Sequence, residues 1–556
     1  MTMTLLASSL LGQTGAPTLQ IPEIQWSTIA PELPPTAIAL VLLLLAIARR
    51  QPHVVAIPVA LIGILVGGWL VSEDQVVAGA VTIGLGAVVP AAVFAFPRRQ
   101  SLQQAFIAAA SLVAALVLTM WQYAAVLAPG AERIITQEAL GGAVASDGIA
   151  LFTRLTVYVS ALLVLPIGYG YLQDRKINRA EVESLLLLAV VGMAALGSAN
   201  DLITMFVALE ILSLALYVLT GLARRDRRSQ EASLKYFILG AVASAILLYG
   251  MALTYVATGT LAIPSIGRTI GLGTTPELVA ALGLGLITVG IGFKIALAPF
   301  HLWTPDVYQG APTNITAFMA AATKAAAFAA VLRLYLVGFP SLSTLWVPIL
   351  AVLAAVTMLY GAFVALVQHD LKRILAYSSI THAGYATIGV VANSNAGLSG
   401  TLWYLLTYAV GTIGAFGCVI ALERQRRGEV TLLDLRGLGR SSPALAGILS
   451  LCLLSLAGIP GTAGFIGKLL VFQAGVGSGL TWLVVIGALS SVVAAFFYLR
   501  IAATMFLEEP DLERGLPIVT TGLSAGVSVS ATLVLFLGIY PQNFLQIAET
   551  AAALVR

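Results

Sequence analysis

The chain has 556 residues, 59% of them hydrophobic and only 10% charged. A typical soluble domain is about 25% charged, so water is not the main solvent of this protein and no nucleic-acid partner is expected. Apolar runs of about 20 residues, each able to cross a hydrocarbon core about 30 Å thick, recur along nearly the whole length, and they are continuous instead of alternating, which excludes a β-barrel.

Breaks at polar or Pro/Gly clusters divide the chain into about sixteen predicted helices. Residues 1–31 read as an N-terminal tail without the basic region of a signal peptide. Spans at 32–49, 53–72, 76–96, 104–127 and 149–172 make an N-terminal block, 32–172. Five more follow at 182–198, 201–222, 232–258, 276–299 and 311–338, and then another five at 343–367, 372–393, 399–422, 442–475 and 479–507. A last span at 515–541 closes the bundle. The fold class is all-α, a polytopic transmembrane bundle.

Basic residues gather in alternate loops. Arg49 and Arg50, Arg98 and Arg99, Arg175 with Lys176 and Arg179, Arg224 through Arg228, Lys372 with Arg373, and Arg424 through Arg440 share one face. The opposite loops hold little beyond Arg133 and Arg268. The positive-inside rule makes the rich face cytoplasmic and puts both termini on the extracytoplasmic side.

Arginine supplies most of the loop charge, whereas four of the six lysines fall within spans: Lys235, Lys294, Lys324 and Lys468. An ammonium at mid-bilayer costs about 2.5–3.5 kcal/mol on insertion scales, and intramembrane ionisable groups are functional by default. Lysine, unlike arginine, can exchange its proton when desolvated. Glu210 is the only carboxylate at comparable depth in 201–222, and Lys235 on the next helix is its natural partner. Lys235 also lies near enough to the cytoplasmic end to snorkel instead. Together these groups predict a proton path.

Two of the lysines accompany helix breakers. Lys294 precedes Pro299, and Lys468 follows Gly458-Ile459-Pro460-Gly461 and Gly464. Proline removes a backbone donor, and inside a membrane the freed groups are tolerated where they line protein or water-filled cavities. The broken helix is fourth of five in both 182–338 and 343–507. An odd number of helices per repeat inverts the second copy, which predicts two inverted five-helix repeats with one half-channel toward each side.

The remaining chemistry is sparse. Cys418 and Cys452 are too few for an iron–sulfur cluster, and no phosphate-binding loop is present. The glycines from Gly283 to Gly292 suit close helix packing, because a dinucleotide fingerprint would need its third glycine where Thr288 stands. His53 and His369 lie at span ends, whereas His301 and His382 are possible proton relays. The four are too dispersed for a metal site.

The segments from His301 to Pro312 (HLWTPDVYQGAP) and from Leu371 to Tyr385 (LKRILAYSSITHAGY) resemble subunit N of bacterial NADH-quinone oxidoreductase, respiratory complex I. Glu210, Ser229 through Tyr236, and Pro460 through Lys468 fit the same pattern, which covers roughly residues 150–545. Related subunits L and M differ around Trp303–Pro312. Subunit M resembles a variant with glutamate where Lys468 stands, and subunit L continues into a long lateral helix.

The resemblance implies an antiporter-like fold of fourteen helices, to which this chain adds two before residue 128. It implies that Glu210 and Lys235 tune Lys294, that Lys324 links toward the second half-channel, and that Lys468 ends the path. His301 and His382 carry over as weaker relays. NADH, FMN, iron–sulfur clusters and quinone would belong to other subunits, with no cofactor or metal in this chain. Expected neighbours are subunits M, J and K and membrane lipid, in the cell inner membrane. An Mrp-type cation/proton antiporter shares the fold and the lysines, but the Trp303–Pro312 loop argues against it. A structural spacer with no ion path is the third reading.

Overall fold

A computed structural model describes residues 26–48, 52–72, 75–96, 100–127, 137–139, 141–177, 181–273, 275–426, 428–510, 515–553 and 555. Arg49, Arg50, Arg98, Arg99, Arg133 and Arg179, like residues 1–25 of the tail, lie outside the described residues.

The helices in chain order are α1 (Trp26–Ile47), α2 (His53–Ser72), α3 (Val76–Ala95), α4 (Gln100–Leu127), α5 (Gly148–Asp174), α6 (Glu181–Ser198), α7 (Leu202–Thr220), α8 (Arg227–Thr258), α9 (Ile263–Gly271) and α10 (Glu277–Ile295). They continue as α11 (Trp303–Gly310), α12 (Thr313–Gly338), α13 (Ser343–Leu366), α14 (Leu371–Val391), α15 (Asn395–Arg426), α16 (Pro443–Ala457), α17 (Ala463–Gly477), α18 (Thr481–Leu507), α19 (Thr521–Ile539) and α20 (Gln542–Ala553). A two-stranded hairpin, β1 (Gln137–Ala139) against β2 (Val144–Ser146), precedes α5.

Fourteen helices among the described residues are long and apolar enough to cross a membrane. The predicted sixteen are completed by α14, whose serines and histidine lower its hydropathy, and by the interrupted pair α16–α17. The short α9 and the C-terminal α20 were absent from the sequence reading. Aspartates cap the chain where it re-enters the bundle: the side chains of Asp147, Asp201, Asp226 and Asp370 accept hydrogen bonds from the first backbone N–H groups of α5, α7, α8 and α14, donors with no partner inside the helix.

Burial falls from the centre outward. The apolar stretches of α12 and α15 are wholly buried, while α2 and α3 show most of their surface. These two form a peripheral hairpin closed by glycines, and a Cβ on Gly63 would fall 2.7 Å from the Cα of Gly86. Small residues let helix backbones approach this closely in lipid.

Both interrupted helices end the same way. At Ala296 (φ 62°) and at Gly458 (φ 85°) the backbone turns left-handed. The next N–H then bonds back five residues, Leu297 to the Gly292 carbonyl and Ile459 to the Leu454 carbonyl, both at a donor–acceptor distance near 3 Å, closing a Schellman cap. Each helix therefore stops before its proline, and Pro299 and Pro460 follow the break without making it. Gly464 lets α17 start close against α16, since a Cβ there would meet the Ser455 carbonyl oxygen at 2.0 Å.

Two buried ion pairs tie the bundle together at the ends opposite the Lys372 and Arg424 loops. Arg333 of α12 grips Asp147 with two hydrogen bonds of 2.7 and 2.8 Å and also reaches the Gly197 carbonyl. Arg154 of α5 bonds Glu32 of α1 at 2.7 Å, Gln122 of α4 and Ser146 of β2. Removing one partner of a buried pair strands the other charge. Arg333→Met is therefore expected to destabilise the chain by about 3–5 kcal/mol, read as a lowered thermal midpoint and a lower yield of folded protein.

Candidate functional site

The site grows from the C-terminal end of α10, where Lys294 is buried in the last turn. Its ammonium donates to Ser213 Oγ at 2.7 Å and to the Tyr236 hydroxyl at 3.2 Å, and faces the Tyr236 ring at 5.2 Å. Tyr236 stacks on Trp303 with centroids 4.7 Å apart, and the Trp303 indole N–H bonds the Phe293 carbonyl at 2.9 Å. The start of α11 is thus folded back on the end of α10, and the lysine is clamped by aromatic rings at a helix terminus whose dipole favours a cation.

Glu210, on α7, accepts a 2.5 Å hydrogen bond from Ser244 of α8. Between Ser244 and Lys294 lies a cavity of about 10 Å³, bordered also by Tyr217 and Phe293, about the size that admits one water. Glu210 is within electrostatic reach of Lys294.

The predicted Glu210–Lys235 contact is not formed. Ser244, the residue that meets Glu210, lies nine residues further along α8 than Lys235, roughly 13 Å at the helical rise. Lys235 instead bonds Asp306 of α11 and Glu231, both at 2.7 Å. Arg373 of α14 holds the other Asp306 oxygen at 2.9 Å. Lys235, Glu231 and Asp306 line an open cavity of about 220 Å³ with Arg228 and Gln309, on the face of the basic loops. The sequence motif contained Asp306, but its role as a bridge between two helices came only with the fold.

The second half is organised by α14. Lys324 follows a π-helical turn, Met319–Thr323, a distortion frequent at functional sites. Its ammonium bonds the Ser379 carbonyl and, at 2.7 Å, Ser379 Oγ, and lies over the Tyr408 ring at 5.6 Å. The adjacent Ser378 hydroxyl bonds the Tyr498 hydroxyl. Tyr498 reaches His382 Nε2 at 3.2 Å, and His382 Nδ1 meets the Tyr404 hydroxyl at 2.5 Å. His382 is within electrostatic reach of both Lys324 and Lys468.

Lys468, near the start of α17, donates to the Ala457 carbonyl at the end of α16 (2.8 Å) and to Ser491 Oγ (2.7 Å). Its ammonium lies 4.6 Å from the Tyr385 ring, and Tyr385 adjoins His382 with centroids 5.6 Å apart. The two candidate histidines differ sharply. His382 is inside this network, whereas His301 packs on Tyr360 at 4.5 Å and neither ring nitrogen has a hydrogen-bond partner among the described residues.

Glu423 of α15 was missed altogether. Buried at the basic-loop face, it accepts from Thr313 at 2.7 Å and pairs with Arg175 and Lys372. Its position close to the Arg424 loop made it look like ordinary surface charge. Tyr404 and Tyr498 were also missed, though Ser378, Ser379, His382 and Tyr385 already form a polar stripe at helical spacing.

The family described as "NADH:quinone oxidoreductase/Mrp antiporter, TM" matches residues 199–494, more than half of the chain. NADH-quinone oxidoreductase subunit N of Rhodococcus opacus is 49% identical over 395 residues, 70% of this chain and 73% of that protein. Its namesake in Salinispora arenicola is 43% identical, covering 88% of this chain and 99% of that one. Among solved structures, a chain of respiratory complex I from Thermus thermophilus with bound aureothin aligns over 83% of this chain and 97% of its own length, with a TM-score of 0.68 and 34% identity.

The fold and its buried lysines therefore define an antiporter-like membrane subunit. Within that class the chain belongs to the subunit N family of NADH-quinone oxidoreductase.

The half-exposed Lys235–Asp306–Arg373 cluster is expected to contribute little to stability, since exposed pairs are worth about 1 kcal/mol or less. Asp306→Ala should leave the thermal midpoint of the folded protein nearly unchanged. A loss comparable to that of Arg333→Met would show that the cluster holds α8, α11 and α14 together.

Proposed function

We propose that the chain carries protons through the membrane along Glu210, Lys294, Lys324, His382 and Lys468. It is a membrane subunit of a proton-translocating NADH-quinone oxidoreductase, in which electron transfer from NADH to quinone is coupled to proton movement. The observation that carries the residue-level reading is the polar run along α14, from Lys324 on Ser379 to His382 between Tyr404 and Tyr498. Hydroxyl and imidazole groups both donate and accept, so a proton can pass by exchange of hydrogen bonds along Ser378, Tyr498, His382 and Tyr404, with Lys324 on Ser379 and Lys468 on the Tyr385 ring flanking that run.

In this reading Lys294 takes its proton from the side of the basic loops, where Asp306, Lys235 and Glu231 line an open polar cavity. Glu210 and Ser244 set the charge state of Lys294 through the small cavity between them. Lys468 releases toward the opposite side, and the two five-helix units, 182–338 and 343–507, act as inverted halves. Alternating basic loops support a cytoplasmic basic face, with both termini extracytoplasmic and the chain in the cell inner membrane. NADH, FMN, iron–sulfur clusters and quinone are assigned to other subunits, and subunits M, J and K to the neighbouring membrane arm.

The test is proton pumping by the assembled enzyme in sealed vesicles. Lys294→Ala and Lys468→Ala should each lower the proton gradient formed per NADH oxidised at least severalfold, with assembly and electron transfer to an artificial acceptor preserved. Full pumping by both variants would make the chain a spacer. Sodium-dependent proton flux from the isolated chain would favour a cation/proton antiporter.

A further inference from the structure

The peripheral hairpin α2–α3 plays no part in the proton route, yet it borders a sizeable apolar cavity on the flank of the bundle. On the side of the basic loops the hairpin is packed shut, and Leu42, Ala56, Val89 and Ala92 are fully buried there. Toward the opposite side a crevice opens between the hairpin, α1 and α4. It has a volume of about 370 Å³ and runs past the Gly63–Gly86 contact as far as Val41 and Val59. Leu33, Ile62, Val66 and Leu85 line its depth, while Trp26, Gln75 and Trp121 stand at its mouth.

We infer that this crevice holds one acyl chain of a phospholipid from the leaflet opposite the basic loops. Three features select that occupant. None of the described residues that line the crevice is charged, so it offers nothing to a headgroup and stays dry, as apolar cavities do. Tightly packed interiors do not leave voids of this size, because the lining atoms would forfeit their dispersion contacts. The crevice is also continuous with the exposed apolar face of α2, where Ile57, Leu61, Leu65 and Trp69 meet lipid.

The tryptophans and Gln75 at the mouth mark the level of the interface, where such rings gather. A chain entering there keeps its glycerol and headgroup in the polar layer while its methylenes descend between α1 and α3. The α2–α3 hairpin thereby becomes a lipid clamp on the flank of the bundle.

The assembled enzyme is reconstituted with a phosphatidylethanolamine bearing a diazirine on one acyl chain, irradiated, and digested for mass spectrometry. Crevice peptides of α1 and α3 should be labelled well above the lipid-facing peptides of α8 and α13. Ala78→Phe, or independently Ala37→Phe, should lower crevice labelling about tenfold and leave α8 and α13 unchanged. Crevice labelling no greater than that of α8, or unaffected by both substitutions in properly assembled enzyme, would overturn the inference. So would preferential labelling by a diazirine-bearing quinone analogue, or cross-linking of the mouth to a neighbouring subunit in place of lipid.

Discussion

An ammonium group inside a bilayer must find its hydrogen-bond acceptors within the protein, and a hydroxyl or the second lone pair of a backbone carbonyl can supply one. This chain gives each of its three buried lysines such acceptors from neighbouring helices, and sets two of them beside ended helices. Lys294 occupies the last turn of α10, Lys468 reaches across a gap to the terminal carbonyl of α16, and Lys324 follows a π-turn and borrows a carbonyl and a hydroxyl from α14. The Schellman caps at Ala296 and Gly458 are the devices that stop the two helices inside the bundle. Because a cation is favoured at a helix C-terminus, the same breaks that expose polar backbone also stabilise the charge they accompany.

The rest of the fold can be understood as support for those breaks. The wholly buried α12 and α15 form the axis against which the interrupted helices rest. Arg333 and Arg154 pin α12 and α5 to their neighbours at one end, and Glu423 gathers Arg175, Lys372 and Thr313 at the other. Both ends of the central helices are therefore fixed by buried charge. The polar run along α14 lies between these anchors, in a buried part of the bundle.

The spans were legible in the sequence because lipid imposes a strong rule on length and polarity, and one helix after another begins and ends within a few residues of its expected limits. Lys294, Lys324 and Lys468 could be singled out for the same reason, being charges where charges are expensive. What could not be read was which group meets which. Lys235 and Glu210 are intramembrane charges on consecutive helices, but the helical rise separates them and the packing of α11 brings Asp306 to the lysine instead. The prolines drew attention to the breaks, while the turns themselves lie at a left-handed alanine and glycine. His301 and His382 looked equivalent until packing put one in a hydrogen-bonded run and the other against a single tyrosine. The short α20 escaped because its amphipathic twelve residues lack the length of a span.

The proposed route takes protons between Lys324 and Lys468 through the His382 network. Its most direct measurement is the number of protons moved per electron by reconstituted enzyme carrying Tyr498→Phe, which removes one hydroxyl and keeps the ring. The ratio should fall in this variant, while NADH oxidation with an artificial acceptor and the assembly of the complex stay at the level of the unmodified enzyme. An unchanged ratio, with Tyr404→Phe and His382→Phe equally without effect, would contradict the route.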